Sequence, residues 1–112
     1  MYYDWEGNPI SMKEWSHLYG QESRFMKQDT FVHGDHIVKV STVYLGLDHS
    51  FALLGRAEDH IPIIFETMIF STDETVDQRQ WRYATEKQAL NGHELAIKLV
   101  EEDILGRHDE HL

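Results

Sequence analysis

Two long runs of strand-forming residues, 25–33 and 36–47, flank the pair Gly34-Asp35. No other feature constrains the fold as tightly. Glycine takes a positive φ at no steric cost, so a Gly-Asp pair between β-rich runs predicts a two-residue hairpin turn. Such a turn also sets the register: His33 falls opposite His36, Phe31 opposite Val38 and Asp29 opposite Val40. The second run, Ile37-Val38-Lys39-Val40-Ser41-Thr42-Val43-Tyr44-Leu45, is rich in the β-branched residues that fit a pleated surface.

Two further strands follow. Residues 61–70 are apolar on both faces apart from Glu66 and Thr67, the pattern of a strand in the middle of a sheet. Residues 80–84 place Trp81 and Tyr83 on one face and Arg82 on the other. Residues 72–77 between them form an acidic turn, and residues 46–59 form a loop holding Asp48, His49, Arg56, Glu58 and Asp59.

Two capping boxes open helices. Thr85-Glu86-Lys87-Gln88 starts a long one, 86–105, that Gly106 stops. Its apolar stripe is Ala89, Leu90, Ala96, Ile97, Val100 and Ile104. Ser11-Met12-Lys13-Glu14 starts a short helix, 12–19, that ends at Gly20 and shows an apolar face of Trp15, Leu18 and Tyr19. Residues 2–10 are extended around a turn at Glu6-Gly7-Asn8-Pro9. The predicted fold is α+β: an antiparallel sheet of about four strands, a short N-terminal helix, and a long C-terminal helix packed on one face. A chain of 112 residues has room for one core, so residues 1–106 read as a single domain and 107–112 as a frayed tail.

Charge and cysteine narrow the function classes. The formal net charge is −10, which repels phosphate backbones and argues against direct nucleic-acid binding. The absence of cysteine removes disulfides, thiolate metal sites and cysteine nucleophiles, and it favours a reducing, cytoplasmic location. Residues 1–6 have neither the basic nor the apolar region of a signal peptide, and no apolar run is long enough to span a bilayer. There is no glycine-rich phosphate loop, nucleophile elbow or basic stripe, which leans the reading away from an enzyme and names no catalytic residue.

Four polar residues stand out as ligand-binding candidates: Asp48, His49, Glu66 and His93. His93 falls on the apolar stripe of the long helix and should face the sheet, where a buried imidazole needs partners. Glu66, a carboxylate in a central strand, has the same need, so the two are expected to meet across the strand–helix interface. That pair reads first as a structural element fixing helix register, and second as a ligand or proton-transfer site. Asp48 beside His49 reads first as a strand-ending turn in which Asp48 accepts from backbone N–H groups. A real site needs at least three of the four side chains to converge, and carboxylates with imidazoles would then suit a divalent metal. No cofactor is otherwise implied. Of the 8 histidines, His33 and His36 meet only as half a site, and His108 and His111 lie in the tail. Most of Tyr2, Tyr3, Trp5, Trp15, Phe31, Tyr44, Trp81 and Tyr83 should be core, and any left over on the open sheet face would form a partner surface.

The strings Val40-Ser41-Thr42-Val43-Tyr44-Leu45-Gly46-Leu47-Asp48-His49, Phe65-Glu66-Thr67-Met68-Ile69-Phe70 and Arg82-Tyr83-Ala84-Thr85, leading to Gly92-His93, resemble a widespread family of small phage and prophage proteins. Tyr2-Tyr3-Asp4 and Gly7-Asn8-Pro9-Ile10 fit the same pattern, and the resemblance runs from residue 2 to about residue 100. It implies a phage or prophage origin and brings no activity with it. It singles out the same four polar residues, while the loop at 52–59 is longer here than the pattern.

The leading expectation is a small acidic phage-type accessory protein that binds a host or phage macromolecule, for instance as an inhibitor of a host defence or regulatory protein. The alternative is a small-ligand or metal site built from Asp48, His49, Glu66 and His93. A homodimer through the open sheet face is compatible with both.

Overall fold

A computed structural model of the chain describes residues 1–48, 61–73 and 76–102. The hairpin forms as the turn chemistry requires: Gly34 takes φ +59°, and strands β3 (Phe25–His33) and β4 (His36–Tyr44) pair in the expected register down to His33 opposite His36. A bulge at Met26 shifts the register between Phe25 and Lys27. Strand β5 (Phe65–Ser71) pairs with β4, and the short β6 (Gln80–Tyr83) pairs with β5, so the four antiparallel strands lie in the order β3-β4-β5-β6. Before β3 come a small ribbon, β1 (Tyr2–Tyr3) with β2 (Pro9–Ile10), helix α1 (Met12–Tyr19) and one 3₁₀ turn at Glu22–Arg24. The chain is α+β, as its pattern predicts.

The central run begins later than its sequence suggests. Residues 61–64 are not strand, although Ile64 is fully buried and its amide donates to the Tyr83 carbonyl at 3.0 Å. Pro62 and Ile64 are buried, as apolar content suggests, without the ladder, while Ile61 is exposed.

Helix α2 (Glu86–Val100) opens on a complete capping box: the Thr85 hydroxyl accepts from the Gln88 amide, and the Gln88 side chain accepts from the Thr85 amide at 3.3 Å. At α1 only half the box forms. The Ser11 hydroxyl accepts from the Glu14 amide, but the Glu14 carboxylate accepts from the Ser11 hydroxyl instead of from its backbone amide. The expected continuation of α2 to residue 105 and the tail at 107–112 lie outside the described residues beyond Glu102.

The inner face of the sheet holds two apolar clusters. Val38, Val40 and Ile69 pack with Val76, Ala96 and Val100 at one end. Tyr3, Tyr44, Ile64, Phe65 and Ala89 pack at the other, flanked by Trp5, Trp15, Leu18, Met26 and Tyr83. Trp5 stacks on Tyr44 and meets Phe65 edge-on, and Trp15 lies between Tyr2 and Tyr19. The N-terminal elements and α2 therefore share one side of the sheet. On α2 the inward residues are Ala89, Gly92, His93, Ala96 and Val100, whereas Leu90, expected in the stripe, is exposed.

Candidate functional site

Strand parity decides what His93 meets. Phe65, Thr67 and Ile69 point inward on β5, so Glu66 points to the opposite face. There it accepts from Arg82 Nε at 3.0 Å, its register partner on β6. The expected pairing of Glu66 with His93 is therefore wrong: the sheet separates them. The error came from a strand apolar on both faces, where alternation cannot say which residues face in.

His93 is fully buried and spans two strands instead. Its Nε2 lies 2.8 Å from Asp29 Oδ2, and its Nδ1 lies 2.7 Å from Thr42 Oγ1. Thr42 Oγ1 lies 2.5 Å from Thr67 Oγ1, its register partner on β5, and both threonines are fully buried. The chemistry orders the protons. A carboxylate only accepts, so Nε2–H donates to Asp29. The Nδ1 of the neutral ring then accepts from Thr42, and Thr42 accepts from Thr67. Four side chains, from three strands and α2, form one hydrogen-bonded chain.

The sequence carboxylate–imidazole–hydroxyl is that of a nucleophilic triad. Here it does not serve as one. Thr42 is sealed, and the space before its oxygen is filled by Thr67 and the imidazole, so no substrate carbonyl can reach it. Burial pushes the Tyr83 phenol above its ordinary range, with the neighbouring Thr67 side chain working against it, so Tyr83 stays neutral at ordinary pH.

Gly92 accounts for the tight seat. A Cβ at this position would lie 2.1 Å from the Tyr83 hydroxyl oxygen, so the tyrosine rests directly on the helix backbone. Next to the network, Lys27 pairs with Glu94 across the strand–helix gap.

Asp48 accepts from the Ile63 amide at 3.0 Å and lies near Tyr3, whose phenol is raised by burial first and by Asp48 second. The amide it accepts from lies 15 residues further along the chain, not in a local turn of the kind expected of a strand-ending aspartate. His49 lies outside the described residues, as do Arg56, Glu58, Asp59, His108 and His111. Of the four candidates, then, Glu66 and His93 occupy opposite faces, and Asp48 is engaged with backbone. Among the described residues, no three of His, Asp and Glu gather to hold a metal ion. No helix among them is long and apolar enough to cross a membrane. Sequence reasoning missed Asp29, Thr42 and Thr67. The hairpin register did place Asp29 beside Val40, an inward residue, and that was the available signal.

The second feature with functional content is the outer sheet face, which no described helix or strand covers. Register places Val43 beside Glu66 and Arg82, Ser41 beside Met68 and Gln80, and Lys39 beside Phe70 on this face. Val32 and Ile37 are cross-strand partners at its hairpin end, 72% and 52% exposed. Phe70, 47% exposed, is the diagonal neighbour of Ile37. These three make an apolar strip on water, bordered by Thr30 and Lys39.

Searches of protein-family models, of curated proteins and of solved structures each gave no match to this chain.

Proposed function

We propose that this protein is a binding module that acts through the outer face of its sheet, as a phage-type accessory protein occupying the surface of a host or phage macromolecule. The observation that carries the reading is the Val32–Ile37–Phe70 strip. Three large apolar side chains stand together in water on one face, while on the opposite face His93, Asp29, Thr42 and Thr67 are engaged with one another. Clustered exposed apolar residues with a polar border are the usual anatomy of a protein contact, and aromatic anchors such as Phe70 carry much of its energy. The net charge of −10 is not concentrated here, since the described face carries Lys39 and the Glu66–Arg82 pair. The contact is therefore apolar at its centre, with charge acting at longer range.

A photo-crosslinking residue placed at Ile37, in cells that naturally express the chain, tests this. The control carries it at Leu95, an equally apolar and exposed position on α2. The reading expects a defined adduct from position 37 and none from position 95. Identical adducts at both positions, or no adduct from 37, would overturn it.

A further inference from the structure

The two edges of the sheet are unequal. β6 is 4 residues long and follows Gln78, whose φ is +64°, so it offers little to a neighbouring strand. β3 is 9 residues long, contains no proline, and pairs with β4 without interruption from Lys27 to His33. No described helix or strand lies along its outer side. Edges of this length are commonly guarded by charge, proline or a bulge. Here the bulge is confined to the start of the strand, and the charges of Lys27 and Asp29 are committed to Glu94 and His93 of α2. We infer that the β3 edge is a dimerisation surface, and that its occupant is β3 of a second copy of this chain, antiparallel, on a twofold axis at Thr30.

Backbone orientation gives the register. The Ile37 amide donates to Thr72 Oγ1 at 3.0 Å, and the Ile37 carbonyl accepts from the Thr72 amide at 3.1 Å, so the Ile37 backbone faces the β5 side. Its neighbours His36 and Val38 then face β3, where they meet His33 and Phe31. Gln28, Thr30 and Val32 consequently turn their N–H and C=O groups away from β4, and all three are exposed. In a symmetric antiparallel pair centred on Thr30, Thr30 exchanges both bonds with Thr30 of the second copy, and Gln28 exchanges both with Val32 of the second copy. Every outward backbone group between Lys27 and His33 is then used. The neighbouring symmetric registers are worse. Centring on Asp29 sets two carboxylates opposite each other. Centring on Gln28 runs into the bulge at Met26 and leaves Val32 without a strand partner, and centring on Phe31 leaves Gln28 opposite the turn at Gly34.

The side chains across this axis suit each other. On the outer face Thr30 meets Thr30, a favourable cross-strand pair, and Gln28 meets the exposed Val32. On the inner face Asp29 lies opposite Phe31, and Lys27 lies opposite His33, so no carboxylate faces a carboxylate. Helix α2 sits over β4, β5 and β6 more than over β3, which leaves the edge clear. An antiparallel pair keeps matching faces on one side of the joined sheet, so the two Val32–Ile37–Phe70 strips point the same way. A partner with two sites is then held by both strips at once. That consequence rests on the binding reading above, whereas the dimer itself does not.

Analytical ultracentrifugation and amide hydrogen exchange on the full chain test the inference, in about 0.15 M salt to screen the net charge of −10. The expected result is a monomer–dimer equilibrium, with the amides of Gln28, Thr30 and Val32 protected where the dimer is populated and open on dilution. Thr30→Pro removes one outward N–H, which an edge strand tolerates, and should weaken self-association about tenfold or more. Thr30→Lys sets two ammonium groups against each other at the axis and should do the same, and it serves the comparison if the proline variant does not fold. Ile37→Ser with Phe70→Ser, on the outer face, should leave the dimer intact. A chain that stays monomeric at every concentration overturns the inference. So does a dimer in which the three amides exchange freely, a dimer lost in the outer-face variant, or protection of the three amides in a monomer, which would put another segment of the same chain on the edge.

Discussion

His93 Nδ1 stands 2.7 Å from the hydroxyl of Thr42, a residue with no exposed surface, and the other ring nitrogen reaches Asp29. The imidazole thus ties α2 to the two strands at the β3 side of the sheet. Removing it orphans one buried hydroxyl and leaves a void. His93→Ala should cost about 3 kcal/mol of unfolding free energy, from the unsatisfied hydroxyl and the cavity together. Glu66→Gln should cost less than about 1 kcal/mol, because it loosens one partly exposed ion pair on the outer face. Urea denaturation of both variants checks the contrast, and equal losses would contradict this arrangement.

Gly92 faces the Tyr83 ring so closely that any added carbon must displace it. In an exposed helix, Gly→Ala stabilises by about 1 kcal/mol. Here Gly92→Ala should destabilise instead. Most of that loss should disappear in a Tyr83→Ala background, where the obstructing ring is gone. A double-mutant cycle measures the coupling. Additive effects would mean that the ring and the helix backbone are not in contact.

Tyr44 is buried, and its hydroxyl donates to the Tyr3 carbonyl. Burial first, and the charges of Asp4 and Glu6 next, push its phenol up to about 12 from 10.0. The unfolded phenol ionises first on raising the pH, so the contribution to stability is intact below about pH 10 and is lost as the pH rises through about 12. Burial moves Tyr3 and Tyr83 in the same direction. Chemical denaturation between pH 9 and pH 12 (on the order of the ordinary tyrosine range) should show stability falling, with a shallower fall in Tyr44→Phe. An unchanged slope in that variant would contradict the assignment.

The cap of α2 gives a simpler test. Thr85→Ala removes the hydroxyl that accepts from the Gln88 amide and should cost about 1 kcal/mol, while Ser11→Ala, at a cap with half a box, should cost no more than that. Thermal unfolding of the two variants compares them directly.

Much of this fold was legible because local chemistry and global pairing agree. Gly34 set the hairpin, and the hairpin set Asp29 opposite Val40 and Phe31 opposite Val38. The helix stripe correctly turned His93 inward. Its partner was hidden for a definite reason. A strand apolar on both faces has no period-2 signal, so whether Glu66 or Thr67 faced α2 was undetermined, and the charged residue attracted the assignment. Thr42 and Thr67 read as ordinary β-branched strand residues, and only the alignment of β4 with β5 makes them a polar pair. Leu90 was misplaced because a stripe drawn from apolar residues alone passes over Gly92, whose missing side chain is what lets α2 approach the sheet.

The central claim is that partner binding belongs to the outer sheet face and not to the His93 network. Its most direct test is the affinity of the partner crosslinked at position 37 for three forms of the full chain: the native sequence, Ile37→Ser with Phe70→Ser, and Asp29→Asn. The account predicts at least a tenfold loss for the double variant, with an unaltered circular dichroism spectrum. It predicts affinity within about twofold of native for Asp29→Asn, a factor worth about 0.4 kcal/mol. The reverse pattern, with binding kept by the outer-face variant and lost with Asp29→Asn, would place recognition at the buried network and contradict it.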